Sequence, residues 1–322
     1  MTPCVAIGID FGGTNVKVAL VSDGGQITAK ASGPTDAKAP PESVIAEMAD
    51  LAKSLVKSAG ASADQIVGAG LGSPGPLDFR RGTVVHSVNL PTWENVPIRE
   101  MLAGRLGMDV ALDNDANAAA FGEYWAGAGK GGGDFVLLTL GTGLGAGVVV
   151  DGNLLHGYHD NAAELGHMIV VPDGLPCGCG QQGCVEQYAS ASAVARRVKH
   201  AIESGASSVL SDCVDGGEAI DSRHVAQAAS DGDPLSLRIW DEACTFLAIA
   251  CVNIQHTFNP ESIVLGGGMS EAGEFLLERV QREFLRRTWR LESDRPQIRL
   301  ATLGYDAGVI GAAGLAWKRS GK

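Results

Sequence analysis

A short pattern of strand, glycine-threonine turn, strand and Asp-Gly turn occurs twice in the 322-residue chain. The first copy spans residues 5–25 and the second spans residues 135–153. Apolar and β-branched runs bounded by Gly, Asn and Asp are typical of strands joined by tight turns. The two copies are too far apart for a solenoid repeat. The duplication therefore predicts two similar domains, each built on one copy of the unit.

Elsewhere strand patterns alternate with helical patterns, which is typical of an α/β protein. We expect a small domain of residues 1–113 plus 303–322 and a large domain of residues 114–302. The large domain is predicted to be mostly helical after its cysteine-rich loop. A polar surface loop is expected over 204–222, and a helix from about 271 to 286.

Charge and cysteine usage narrow the function classes. The formal net charge of -12 disfavours nucleic acid and anionic membranes as partners, because both would be repelled. The first residues run directly into a strand pattern without a signal-peptide profile, and no apolar stretch reaches membrane-spanning length. The seven cysteines are odd in number and scattered, which argues against a disulfide framework. We expect a cytoplasmic protein.

Both glycine-threonine turns are candidates for binding phosphate. Glycine lets backbone N–H groups approach an anion without interference from a Cβ. The candidate residues are Gly12, Gly13 and Thr14 in the first turn and Thr142 and Gly143 in the second. Asp10 ends the first strand and is suited to organise the water ligands of Mg²⁺ around phosphates.

A third glycine run, Gly266, Gly267 and Gly268, stands between a strand pattern and a helical pattern. A nucleotide can lie against a helix N-terminus at such a place. Two other motif matches fail. Residues 70–75 fit G-x-G-x-x-G, but prolines and a hairpin pattern follow where a helix is required, and Gly129-Lys130 lacks the flanking residues of a P-loop.

Polar residues crowd the segment 113–117, which follows a strand pattern and begins a helical one. Helix capping accounts for one or two of them. Phosphoryl transfer to an alcohol needs a carboxylate that accepts the hydroxyl proton. Asp115 is the candidate general base, and Asn114 a candidate ligand for a substrate hydroxyl.

Four further residues supply the Cys₃His ligand set of a closed structural zinc site: His167, Cys177, Cys179 and Cys184. Glu164 and Glu186 bracket them. A structural metal site between two carboxylates predicts a rigid loop that presents polar groups to a ligand rich in hydroxyls.

Together these motifs resemble the ROK family of sugar kinases and regulators, within the hexokinase–actin–Hsp70 ATPase superfamily. The resemblance covers nearly the whole chain. It is carried by residues 10–14, 113–117, 140–145, 164–186 and 259–268, the last of which resembles the family's adenosine motif. One departure is Ala163, where many members have glycine.

The resemblance implies a two-domain actin-like ATPase fold around a central cleft. It also implies an ATP-dependent hexose kinase, with glucose as the first candidate. ATP with Mg²⁺ would lie across both phosphate turns, and Asp115 would take the proton of the sugar 6-hydroxyl. Ring hydroxyls would be held by Asn114, Glu164, His167 and Glu186, with Gly75 and Asn89 as weaker candidates. His167 would bind Zn²⁺ through one ring nitrogen and face the sugar with the other, and the protein would be a homodimer or homotetramer.

Several alternatives stay open. Kinases for N-acetylmannosamine or N-acetylglucosamine share the whole motif set, and mannose and fructose are further possible substrates. A polyphosphate-dependent enzyme is disfavoured by the adenosine-like glycine turn. A sugar-responsive regulator would need a DNA-binding domain before the first strand, where only a few residues stand. A binding protein without turnover is disfavoured by the intact set of Asp10, Asp115 and both turns. The sequence does not say whether Lys17 or Lys130 approaches the nucleotide.

Overall fold

The contacts within the chain divide it into two units. The computed structural model describes residues 4–86, 90–289 and 294–321. The first unit consists of Met1–Gly132, Gly147–Ala163 and Thr302–Lys322, and the second of Gly133–Ala146 and Glu164–Ala301.

The strands of the described residues are β1 (Val5–Phe11), β2 (Asn15–Ser22), β3 (Ile27–Pro34), β4 (Ile66–Ser73), β5 (Leu77–Asp78), β6 (Thr83–His86), β7 (Glu94–Val96), β8 (Val110–Asn114), β9 (Phe135–Leu140), β10 (Leu144–Val150), β11 (Asn153–Leu154), β12 (Ser262–Gly266) and β13 (Gln297–Leu300). The α-helices are α1 (Pro41–Ser58), α2 (Ile98–Leu106), α3 (Asp115–Ala126), α4 (Glu186–Ala189), α5 (Ala191–Glu203), α6 (Ser211–Asp215), α7 (Ser222–Ser230), α8 (Pro234–Phe258), α9 (Glu274–Arg287) and α10 (Ala307–Ser320).

Two five-stranded sheets share one topology, which confirms the predicted duplication. Their strand orders are β3-β2-β1-β4-β8 and β11-β10-β9-β12-β13. In the first sheet β1, β2 and β3 pair antiparallel, while β4 and β8 extend the sheet in parallel from β1. In the second, β10 and β11 pair antiparallel, while β9, β12 and β13 run parallel. A small antiparallel sheet, β5-β6-β7, completes the strands.

The parallel part of the first sheet brings two carboxylates to one edge. Asp10 is in register with Gly72, and Gly72 with Asp113. The carboxyl ends of parallel strands form the usual ligand-binding edge of an α/β sheet. With strands spaced about 4.8 Å apart, the backbones at Asp10 and Asp113 are separated by about 10 Å.

One face of the first sheet packs on α1 and α2. Val5, Ile7 and Ile9 alternate along β1 and join Ile45 and Met48 of α1 in one buried cluster. Apolar residues alternate along β1 and recur at helical spacing along α1, so each element buries its apolar face against the other. Burying each large aliphatic side chain contributes about 1.5–3 kcal/mol.

The other face packs on α10, which also contacts α3. Ala6 of β1 shares a buried cluster with Val309 and Trp317 of α10. The two helices approach closely, since a Cβ at Gly311 would lie 1.7 Å from the carbonyl oxygen of Ala118. This packing groups α3 with the first unit.

The domain boundaries expected from the sequence, 1–113 with 303–322 and 114–302, stay a prediction. The contacts draw the division differently, because they place α3 and residues 147–163 in the first unit. The division passes through β10, which begins in the second unit and ends in the first.

The second unit is largely helical, as predicted, with α8 its longest helix. Two local expectations were wrong. The segment 204–222 contains the short helix α6 as well as loop, and the helix expected from about residue 271 begins at Glu274, after a 3₁₀ turn over Gly268–Ala272. In the described part of the chain, no helix combines the length and the apolar character needed to cross a lipid bilayer.

Candidate active site

In the first unit, the turn between β1 and β2 is held by backbone hydrogen bonds. Gly12 N donates to Asn15 O at 2.9 Å, and Thr35 N donates to Thr14 O at 2.8 Å. The Thr35 hydroxyl adds a bond to Gly12 O at 2.9 Å. Thr14 itself is exposed. The turn is therefore fixed from behind while its threonine faces outward, as a phosphate-binding turn requires.

Asp10 ends the same hairpin with a largely buried carboxylate. Its Oδ2 lies 3.4 Å from Nζ of Lys17, which stands opposite it on β2 and also donates to the carbonyl of Tyr305 at 2.8 Å. Burial raises the pKa of Asp10, and the charge of Lys17 opposes this shift. A carboxylate that is poorly solvated in this way gains from a bound cation.

The segment predicted to hold the base forms the junction of β8 and α3. Asn114 is the N-cap of α3, and its Oδ1 accepts hydrogen bonds from Ala116 N at 2.9 Å and Asn117 N at 3.4 Å. The group that Asn114 can offer a ligand is therefore its side-chain NH₂. Asp115 is half-buried at the first helical position, where the helix N-terminus stabilises negative charge.

A buried network behind this junction was missed from the sequence. His156 Nε2 lies 2.8 Å from Oδ2 of Asp113, and Asn117 Nδ2 donates to Oδ1 of Asp113 at 2.9 Å. The hydrogen bond to Asp113 raises the pKa of His156. The apolar run before Asp113 is a signal from which a buried carboxylate in need of a partner could have been found, but nothing local in the sequence identifies a histidine 43 positions away.

Two weaker candidates follow β4 and β6 in the first unit. Gly75 has φ +91° and comes two residues after Ser73, which is in register with Asn114. It therefore lies near the sheet edge that carries the proposed base. Asn89 lies outside the described residues.

In the second unit, the turn between β9 and β10 is bonded to a carboxylate. Oε2 of Glu186 accepts a hydrogen bond from Leu144 N at 2.9 Å. A Cβ at Gly143 would lie 2.4 Å from that same oxygen, so only glycine permits this approach. Gly141 O accepts a bond from Ala191 N at 3.0 Å, which joins the turn to α5. Thr142 is exposed at its tip.

The four predicted zinc ligands come together in the second unit. The ligand atoms of His167, Cys177, Cys179 and Cys184 all lie within 4.8 Å of one another. Cys177 Sγ is 3.7 Å from His167 Nδ1, and Cys179 Sγ is 3.7 Å from Cys184 Sγ. Tetrahedral Zn²⁺ with Zn–S bonds of about 2.3 Å requires S···S separations of about 3.8 Å. The residues fit a closed zinc site.

The two predicted sugar carboxylates flank this cluster. Oε2 of Glu164 lies 3.9 Å from His167 Nε2, the ring nitrogen that does not face Cys177, and the Glu164 side chain is 64% exposed. Oε1 of Glu186 lies 3.8 Å from Cys177 Sγ and accepts a bond from Gln187 Nε2 at 3.3 Å. The histidine thus turns one nitrogen to the metal ligands and the other to a carboxylate, as the dual role predicts. These residues' roles in binding stay predictions.

The third glycine run packs against the end of β9. Gly267 has φ +82°, and a Cβ there would lie 2.7 Å from Leu140 N. This places the run beside the second glycine turn, as a shared nucleotide site requires. The predicted helix N-terminus is absent directly after the run, because the 3₁₀ turn intervenes before α9.

Asn259, part of the adenosine-like motif, lies at the opposite end of β12. It terminates α8 in a left-handed conformation with φ +45°, and its N–H donates to Gln255 O at 3.0 Å. The four strand residues 262–265, at about 3.3 Å each, separate it from the glycine run by about 13 Å. In this structure Asn259 ends a helix, and its part in the adenosine-like motif stays a prediction.

A duplicated mixed sheet with phosphate-type turns and a Cys₃His loop defines an actin-like phosphotransferase fold. The ROK family model matches residues 6–319, and the chain belongs to the ROK family.

Similar proteins include several kinases. The chain is 40% identical over 315 residues to a glucokinase of Thermotoga maritima, covering 98% of each, and 37% identical over 310 residues to a glucokinase of Halalkalibacterium halodurans, covering 96% of this chain and 94% of that one. An N-acetylmannosamine kinase of Citrobacter koseri is 31% identical over 314 residues, covering 96% and 98%.

Solved structures of ROK kinases are also similar to this chain in fold. The ROK hexokinase of Thermus thermophilus superposes with a TM-score of 0.81 at 34% identity, covering 98% of each chain. The ROK family glucokinase of Streptomyces griseus, solved in complex with glucose and AMPPNP, gives a TM-score of 0.80 at 35% identity, covering 98% of this chain and 99% of that one.

Proposed function

We propose that the protein transfers the γ-phosphoryl group of ATP to the 6-hydroxyl of glucose, forming glucose 6-phosphate and ADP. The observation that carries the proposal is the grouping of Glu164, His167 and Glu186 around the Cys₃His cluster in the second unit. Asp115, at the start of α3 in the first unit, supplies the candidate base. Relatives named glucokinase over nearly the full length support it.

Asp115 is the general base. Its carboxylate accepts the proton of the 6-hydroxyl while the hydroxyl oxygen forms a bond to the γ-phosphorus and the bond to the ADP oxygen breaks. The N-terminus of α3 stabilises the negative charge of Asp115 until the proton is taken. Asn114, the cap of the same helix, binds a neighbouring hydroxyl through its side-chain NH₂.

The phosphates are bound by the glycine-threonine turns, through the backbone N–H groups of Gly13 and Gly143 and the hydroxyls of Thr14 and Thr142. Gly12, whose N–H is used within the turn, lacks a Cβ and lets a phosphate approach closely. The run Gly266–Gly268 takes the nucleoside part of ATP. Asp10 organises the waters of Mg²⁺, which when bound neutralises charge on the phosphate oxygens.

Zinc has a structural role. A Cys₃His set leaves no open position for substrate, so Zn²⁺ braces the loop that carries Glu164 and Glu186. Both carboxylates accept hydrogen bonds from ring hydroxyls, and Nε2 of His167 donates a hydrogen bond to a ring hydroxyl or accepts one from it. Such a site rejects analogues that lack a hydroxyl, because its polar groups would be left unpaired.

We also propose that the enzyme acts in the cytoplasm as a homodimer or homotetramer and supplies glycolysis with its product. The proposed substrates ATP and glucose support the cytoplasmic location. Light scattering coupled to size-exclusion chromatography measures the oligomeric state.

A second substrate class is an N-acylated hexosamine, which the similarity to an N-acetylmannosamine kinase favours. The test is sugar-dependent ADP formation from Mg-ATP with glucose, mannose, fructose, N-acetylglucosamine and N-acetylmannosamine. Turnover on glucose alone supports the proposal, and turnover on an acetylated sugar alone replaces the substrate. Sugar binding without any turnover would make the protein a sensor.

The base is tested in the same assay. Asp115→Asn is expected to lower kcat about 10²–10⁴-fold, because it removes the proton acceptor, while glucose binding measured by calorimetry largely survives. Asp109→Asn is the matched control, since the Asp109 side chain is 68% exposed and pairs with Arg319. Near-normal turnover of Asp115→Asn would exclude Asp115 as the base.

A further inference from the structure

A buried carboxylate stands immediately before the proposed sugar-binding and catalytic residues. Asp113 is 3% exposed, and both of its oxygens accept hydrogen bonds. Oδ1 accepts from Asn114 N and from Asn117 Nδ2, each at 2.9 Å, and Oδ2 lies 2.8 Å from His156 Nε2. The carboxylate therefore joins three pieces of the first unit: the end of β8, the first turn of α3 and the loop after β11.

His156 is itself held on several sides. Its carbonyl accepts a hydrogen bond from Ala162 N at 2.9 Å, and its ring lies 4.4 Å from the ring of Phe79, centroid to centroid. Its side chain is 33% exposed. A ring fixed in this way presents Nε2 to Asp113 in one orientation.

Three charged groups act on His156. Asp113 is in direct contact, and Asp160, whose Oδ2 accepts a bond from Phe79 N at 3.1 Å, adds a second negative charge. Lys318, which donates to the carbonyl of Gly152, is the opposing positive charge. The hydrogen bond to Asp113 outweighs burial and Lys318, so the pKa of His156 is raised above 6.5.

We propose that His156 is a positioning residue for phosphoryl transfer, which holds Asp113 and thereby the junction of β8 and α3 that presents Asn114 and Asp115. The role rests on the function proposed above. Without the third donor, Oδ2 of Asp113 would be a buried charge lacking a partner, which is costly. The carboxylate would turn toward water and release Asn117, and the start of α3 would shift. Displacing a catalytic group by about 1 Å lowers the rate about 100-fold.

The protonation state sets how strong the link is. Above its pKa the neutral ring still donates through Nε2–H, so the hydrogen bond persists; below its pKa the bond also joins opposite charges. Because the folded-state pKa is raised, the added stabilisation is fully present below pH 6.5 and is lost as the pH rises through the folded-state value.

The test compares His156→Ala, His156→Gln and the control His159→Gln, a histidine that is exposed in the same loop. Steady-state kinetics with glucose and Mg-ATP are measured from pH 6 to pH 9. We expect His156→Ala to lower kcat about 10–100-fold with the KM for ATP within about twofold, since the phosphate turns are not touched. Glutamine retains a donor, so His156→Gln should recover most of kcat at pH 9, and the ratio of wild-type to His156→Gln kcat should be larger at pH 6. His159→Gln should match the wild type.

A second measurement does not depend on turnover. The pKa of His156, followed by nuclear magnetic resonance, should fall toward 6.5 in Asp113→Asn. Wild-type kcat in His156→Ala, or an unmoved histidine pKa in Asp113→Asn, would overturn the positioning role while leaving the kinase proposal intact. A wild-type protein that turns over no sugar would instead overturn the kinase proposal, and with it the role of His156. The two failures are therefore distinguished by different observations.

Discussion

The two glycine-threonine turns have matching sequence patterns and matching places in two sheets of the same topology, but different groups stand behind them. The Gly12–Thr14 turn is closed by backbone bonds and by Thr35, with Asp10 and Lys17 at its base. The Gly141–Gly143 turn is also closed by a backbone bond, from Gly141 N to Gly143 O at 3.0 Å, but its outside partners are the carboxylate of Glu186 and the first turn of α5.

This difference shows how the two copies of a duplicated unit become specialised. The first turn is paired with a carboxylate suited to a hydrated cation, while the second is bonded to the loop that carries the proposed zinc ligands and the proposed sugar carboxylates. A change in the zinc loop should therefore reach the second turn and leave the first unaffected. Four predictions test this asymmetry, in order of decreasing effect.

The largest effect is expected from breaking the zinc site. Cys184→Ser removes one thiolate from a fully buried position, where burial and the neighbouring thiols raise the pKa of Cys184 to about 12 and a bound metal would replace the proton. Zinc binding in small zinc domains contributes about 10–16 kcal/mol, so loss of the ion should unfold the loop. We expect the zinc content to fall from one per chain and glucose turnover to disappear. Elemental analysis and the ADP assay measure both.

Amide hydrogen exchange measures directly whether the two turns respond differently to this change. In Cys184→Ser the amide of Leu144 should exchange faster, while the amide of Gly12 keeps its protection. Cys213→Ser is the matched control, because Cys213 lies in α6 outside the cluster. Active Cys184→Ser protein without zinc would remove the structural role of the metal.

A smaller effect is expected from adding one methyl group to each turn. In Gly143→Ala the new Cβ would collide with Oε2 of Glu186, whereas in Gly12→Ala it would lie 3.1 Å from Asn15 O. Losing a charge-assisted bond costs about 1.5–3 kcal/mol. We therefore expect Gly143→Ala to raise the KM for glucose about 10–100-fold.

Gly12→Ala should act chiefly on the KM for ATP, because Thr35 and the proposed Mg²⁺ residue Asp10 are the groups behind the first turn. Initial-rate measurements with each substrate varied in turn separate the two effects. The same change in both KM values for both variants would show that the turns are not specialised in this way.

The sequence predicted the two hairpins, the zinc ligands and the α3 junction because each depends on residues close together in the chain. Turn glycines, cap residues and metal ligands have local patterns. Contacts between residues far apart in the chain were not predictable in this way. Glu186 reaches Leu144 across 42 positions, and His156 reaches Asp113 across 43, so only the fold brings them together. Asn259 ends α8 in a left-handed conformation, and its part in the adenosine-like motif stays a prediction.

Asp10, behind the first turn, is expected to lower the stability of the folded protein at neutral pH, although its proposed function in organising the waters of Mg²⁺ requires it. Burial raises the pKa of Asp10, so the folded state binds its proton more tightly than the unfolded chain and loses stability as the pH rises above 3.8. Asp10→Asn should therefore raise the melting temperature at pH 7, and the gain should vanish near pH 3. Thermal unfolding at both pH values, with the exposed Asp36→Asn as control, measures it. A lower melting temperature at pH 7 would mean that the pairing with Lys17 outweighs the cost of burial.

The smallest effect is expected at Ala163, directly before Glu164. Its φ is +68°, a left-handed conformation that costs a residue with a Cβ about 1 kcal/mol, and the family's usual glycine would carry no such cost. Glycine also gives the unfolded chain more freedom, so Ala163→Gly should raise the free energy of unfolding by at most about 1 kcal/mol. Gly107→Ala is the reverse control, because Gly107 has φ +71° and nothing lies within 4 Å of a Cβ there; it should destabilise by a similar amount. Urea unfolding measures both. If Ala163→Gly instead changes the KM for glucose strongly without changing stability, then the methyl group acts on the placement of Glu164. The backbone conformation of the loop that carries Glu164 would then contribute to sugar binding, in addition to the proposed zinc ion.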